Sequence, residues 1–150
     1  MPTPPTTTAV LLIAHGSRHA PANDDLRRMA DRMTAAATRP IVEPAFLELA
    51  EPAIAAGGAR CVARGAGRVL MVPYFLAAGV HLLRDLTAAR DALTAVHLGV
   101  EFRLGPPLGP DPLLDRLVAE RVDQLDGDGP PPEFAPAAEV AAAYAPMGDH

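Results

Sequence analysis

Lysine and tryptophan are missing from this 150-residue chain, and cysteine occurs once. Without lysine there is no amine for a Schiff base and no P-loop lysine. Neither G-x-x-x-x-G-K-[ST] nor G-x-G-x-x-G occurs, so neither common phosphate cradle is present. A single cysteine, Cys61, excludes an internal disulfide framework and suits a reducing cytoplasm, where we expect the protein to work. Positive charge is scarce as well. The 13 basic residues, all arginine, are scattered, and the formal net charge is -5, which argues against a nucleic-acid partner. No apolar run is long enough to span a bilayer, and the Pro- and Thr-rich start has no basic region of the signal-peptide kind.

What is there is an ordinary globular balance, with 49% hydrophobic and 21% charged residues. The length fits one domain with a real core. Residues 1–8 read as a flexible leader, 9–125 as one α/β domain, and 126–150 as a Pro-, Gly- and Ala-rich tail. Val10-Leu11-Leu12-Ile13-Ala14 is a continuous apolar run that stops at His15-Gly16, as a buried parallel strand does. A helix is predicted from Pro21, with Asp24 and Asp25 in its first turn and Leu26, Met29, Ala30 and Met33 on its inner face. A second strand runs from Ile41 to Leu47. Its helix starts near Pro52 and reaches the Gly65/Gly67 stop, with Gly57 and Gly58 weakening its middle. Arg68 to Phe75 is a third strand, and the helix after it carries Leu82, Leu86, Ala89 and Leu93. Leu98 to Leu104 is a fourth strand. The last helix, about Pro112 to Leu125, turns Leu113, Leu117 and Val118 inward. This alternation predicts a four-stranded parallel sheet with helices on both faces, in the flavodoxin-like order 2-1-3-4.

In such a sheet, chemistry collects at the carboxyl ends of the strands beside the point where strand order reverses. Three strand ends carry candidates: His15, Glu48 and His81. Two imidazoles and a carboxylate suit borderline divalent ions such as Fe, Co, Ni or Zn, and a neutral imidazole can also take up a proton. Glu51 competes with Glu48 but precedes Pro52 as a helix-start acid would. His19 reads as a turn residue near enough to act as a secondary ligand. His97 lies before the fourth strand, away from the carboxyl ends. Asp85, one turn past His81, either orients its ring or bonds loop backbone.

The same segments resemble a known family. Ala14-His15-Gly16-Ser17-Arg18, Phe46-Leu47-Glu48 with Glu51-Pro52, Val72 through His81 with Asp85, and Leu104 to Leu113 around Leu108-Gly109-Pro110-Asp111-Pro112 are similar to the small, single-lobe sirohydrochlorin chelatases of the class II chelatase family. The likeness covers about residues 9 to 125 in order. It implies insertion of Co²⁺ or Fe²⁺, with Ni²⁺ a further candidate, into sirohydrochlorin without an organic cofactor, in cobalamin or siroheme biosynthesis. It places the metal-handling histidines on His15 and His81 and the helping acid on Glu48. Ser17, Arg18 and Arg84 are candidates for holding the macrocycle's carboxylates. A homodimer is expected, since larger relatives look like two fused lobes. The tail has no counterpart in the family pattern. No His-rich loop is present either, which speaks against metal storage and leaves insertion untouched. The competing readings are a tetrapyrrole- or metal-binding carrier on the same fold and a histidine phosphatase. The phosphatase fits poorly, because Ala14 stands where that chemistry has arginine.

Overall fold

The computed structural model of the chain describes residues 6–36 and 39–130. Most of the 126–150 tail, and the start of the leader, lie outside the described residues. The elements alternate as expected: β1 Thr8–Ala14, α1 Ala20–Ala35, β2 Ile41–Phe46, α2 Ile54–Ala63, β3 Arg68–Pro73, α3 Val80–Val96, β4 Glu101–Leu104 and α4 Pro112–Asp126. The four strands form one sheet in the order β2-β1-β3-β4, and every pairing is parallel.

β1 lies in the middle because its side chains are apolar on both faces. Val10 and Leu12 pack with Leu26 and Ala30 of α1. Ala9, Leu11 and Ile13 point to the other face and pack with Ile54 and Cys61 of α2 and Leu86 and Leu93 of α3. The two-residue period of a strand sorts one short run into two cores. Each fully buried Leu or Ile contributes about 1.5–3 kcal/mol. The register sets Ala14 beside Phe46 and Ile13 beside Pro73, so the strands finish at one level. Cys61 is buried in this core. Burial, with the Glu43 charge adding to it, pushes its thiol up to about 12, which leaves it a packing residue.

Several boundaries differ from expectation for local reasons. α1 starts at Ala20, so Asp24 falls past the first turn and pairs instead with Arg27 at 2.8 Å. The fourth strand starts at Glu101, because Gly99 turns the chain with φ 84°. The chain divides into two compact units at Pro110/Asp111. In the second unit, Asp111 caps α4 by accepting the Leu113 N–H. The apolar stripe Leu113, Leu117 and Val118 lies within this second unit. Periodicity marks an apolar stripe without specifying what covers it.

The two glycines inside α2 are explained by packing. A Cβ on Gly57 would stand 2.9 Å from Ala45 Cβ and 3.0 Å from Leu11 Cδ1. Glycine here lets the helix lie close on the sheet. Alanine is the better helix former by about 1 kcal/mol, but overpacking a tight contact costs roughly 1–3 kcal/mol. We therefore expect Gly57→Ala to lower the unfolding free energy by up to about 2 kcal/mol in urea melts. A stabilised variant would contradict the close contact.

Candidate active site

The site is built on backbone before any side chain is considered. Past the last residues of the strands, pairing continues: Leu47 N–H donates to Ala14 C=O and Glu48 N–H to His15 C=O, both at 3.0 Å. On the other side of β1, Tyr74 N–H donates to Ile13 C=O at 2.7 Å. Gly16 then turns the chain with φ 95°, a conformation glycine adopts freely. A Cβ on Gly16 would run into the carbonyl oxygen of Glu48. The His-Gly pair that ends the first strand thus packs directly on the backbone that carries Glu48.

Buried Asn23 fixes the next residue. Its Oδ1 accepts the Ser17 N–H at 2.9 Å and its Nδ2 donates to the Ser17 C=O at 2.7 Å. Sequence reasoning missed Asn23. The available signal was a polar residue at the head of the Leu26/Ala30 stripe, six positions after Ser17. Ser17 Oγ in turn accepts the His19 N–H at 3.0 Å. The turn is held at Gly16, Ser17 and His19, while the Arg18 side chain is exposed and, among the described residues, makes no ion pair.

Within this frame, His15 Nδ1 lies 3.5 Å from Glu48 Oε1. The Phe75 ring meets the imidazole edge-on, with centroids 6.4 Å apart at 88°. Both members of the pair are well exposed, 59% and 58%. Such a pair contributes on the order of 0–1 kcal/mol to stability. In this arrangement Nδ1 is the ring nitrogen on the carboxylate side, at a separation longer than a good hydrogen bond.

The structure brings His15 and Glu48 together and leaves His81 apart. His81 is the second residue of α3, exposed, after the Gly79 cap. Among the described residues, no three His, Cys, Asp or Glu side chains stand close enough to hold one ion. No hydrogen bond joins Asp85 to His81. Arg84 is exposed on the outer side of α3, in line with Val80, Leu83, Thr87, Ala88 and Asp91. Glu51 is exposed, and its backbone carbonyl accepts from Arg27. His97 stacks on Phe102 at 5.9 Å at the start of β4, away from the strand ends. A groove of about 660 Å³ along the outer edge of β2 is lined by Glu51 but not by His15, Glu48, His81 or Arg84. Its Arg27, Arg60 and Arg64 are balanced by Asp31, Glu43 and Glu51.

Comparisons with known proteins identify the family. A family model described as CbiX matches residues 9–125, most of the chain. The chain belongs to the CbiX family. It is 34% identical over 123 residues to the chloroplastic sirohydrochlorin ferrochelatase of Arabidopsis thaliana, covering 79% of this chain and 55% of that one. It is 28% identical to the sirohydrochlorin cobaltochelatase of Methanopyrus kandleri, covering 80% of this chain and 98% of that one. The solved structure of a putative cobalamin biosynthesis CbiX protein from Marinobacter aquaeolei superposes with a TM-score of 0.67 at 32% identity, covering 79% of this chain and 96% of that one. Against the Arabidopsis protein and the two Priestia megaterium chelatases, this CbiX chain spans about half the length of the curated relatives it matches.

The close approach of Gly16 to Glu48 is directly testable. Gly16→Ala adds backbone strain of about 1–3 kcal/mol and a clash with backbone that cannot rotate away. We expect a loss of at least about 2 kcal/mol in chemical denaturation. A variant as stable as the parent would mean that the two loops do not touch as described.

Proposed function

We propose that this chain inserts Co²⁺ or Fe²⁺ into sirohydrochlorin in cobalamin or siroheme biosynthesis, in the cytoplasm, as a homodimer and without an organic cofactor. The observation that carries the reading is the His15–Glu48 pair, held by backbone at the carboxyl end of β1, with His81 one strand over. The ion is substrate here. Insertion removes two protons from pyrrole nitrogens and puts a dication in their place. His15 Nε2 and the His81 imidazole hold the incoming ion and take up protons in turn. Glu48 keeps the His15 ring oriented, offsets the ion's charge, and passes protons outward. Arg18, Arg84 and the Ser17 hydroxyl pair with the carboxylates around the macrocycle.

An open pair with a third ligand set apart favours transit over storage. A metal carrier gains by assembling its full ligand set in advance, whereas a chelatase must release the ion to the macrocycle. The reading of one lobe that works in pairs is supported by relatives of two sizes. Some match along nearly their full length, 98% and 96%, and one along 55%.

Anaerobic assays of sirohydrochlorin with Co²⁺, Fe²⁺ and Ni²⁺ in parallel test this. We expect many equivalents of product per chain with Co²⁺ or Fe²⁺, and a two-chain mass by light scattering in the same buffer. Product that saturates at one equivalent would make the protein a carrier. Full activity from a monomer would remove the dimer.

A further inference from the structure

Leu49 has backbone that a leucine adopts at a cost, in a place where packing gives no reason for it. Its φ is 63°, the only positive φ outside glycine among the described residues. The Ala50 N–H donates to the Glu48 carbonyl at 2.8 Å, closing a three-residue turn with Leu49 at its centre. A γ-turn of this hand is rare and strained, and a bulky residue with positive φ is an outlier. Glycine would hold the turn without that cost.

The side chain does not offset the strain by packing in either core. Leu47 before it packs against one core cluster and Ala50 after it against the other, while Leu49 belongs to neither. It is 54% exposed. The Glu48 carbonyl inside this turn is the one that Gly16 packs against. The turn that sets the Glu48 backbone beside His15 therefore also sets Leu49, exposed, immediately after Glu48. Because β1 lies between β2 and β3, the β3–α3 loop flanks His15 from the other side. That loop presents exposed Leu76, at 70%, and the first residue of α3, Val80, is 62% exposed.

A strained, unpacked leucine next to a reactive pair is a reason to look for a ligand. We infer that Leu49 is a substrate-contact residue. Its side chain lies against the apolar face of a flat macrocycle whose polar centre meets His15 and Glu48. This rests on the proposed function and adds a residue that sets affinity for the ring, separate from those that handle the ion and the protons.

Metal-free sirohydrochlorin is titrated into the full chain and followed by its change in absorbance, for the parent, Leu49→Gly, Leu49→Asn and Leu49→Met. Glycine and asparagine both tolerate the turn, so both variants fold, with thermal midpoints equal to or above the parent's. Losing the apolar contact should raise Kd by roughly tenfold in both. Leu49→Met, which keeps an apolar side chain, should bind as the parent does. Parent-like affinity in Leu49→Gly and Leu49→Asn, within about twofold, overturns the assignment while leaving the functional reading standing. If the parent itself does not bind sirohydrochlorin, the functional reading fails and this inference fails with it. Altered assembly in Leu49→Gly with unchanged affinity per chain also overturns it, by giving the side chain to a subunit contact.

Discussion

The contact on which the rest depends is backbone against backbone: Gly16, just past β1, lies on the carbonyl of Glu48, just past β2. Only a residue without a Cβ fits there. The hydrogen bond from Glu48 N–H to His15 C=O fixes the same approach from the other direction. The sheet order makes this possible, because β1 pairs with both β2 and β3 and ends level with them. Packing of β1 on both faces then holds those ends in register. The site inherits its rigidity from the core, through three strand ends and one glycine.

That arrangement lets the reactive side chains remain exposed. His15 and Glu48 stabilise the fold little, because water screens their attraction. In the proposed function, their value lies in being set side by side by backbone while still open to an ion. A buried set of three ligands would hold a divalent ion more firmly and release it more slowly. In the proposed function, His81 standing outside the pair suits an ion that is handed on. Asn23 and the turn at Leu49 serve the same division, one clamping Ser17 and the other setting the backbone that carries Glu48.

Much of this was legible in the sequence, for identifiable reasons. A five-residue apolar run that stops at His15-Gly16 has few readings other than a central parallel strand, and the alternation after it allows few topologies. Strand order predicts His15 and His81 facing each other across a crevice with Glu48 nearby, whereas the contact the structure shows is His15 with Glu48. Gly57 and Gly58 argued locally against a helix, but close packing of Gly57 on Ala45 and Leu11 and of Gly58 on Leu93 outweighed the propensity. Asn23 was hidden because its partner is backbone, which has no letter in the sequence. Leu49 was hidden because φ depends on the closing hydrogen bond and not on the residue type. The stripe on α4 was visible, but what covers it is not written in its period.

The central claim is that His15 and His81 exchange an ion and two protons with the macrocycle. Anaerobic multiple-turnover metallation by the His15→Ala/His81→Ala double variant tests it most directly. Both side chains are exposed, so the thermal midpoint should not move. Turnover should fall by more than about 100-fold, as expected when positioned acid–base groups are lost. Near-normal turnover in a folded double variant would contradict the account.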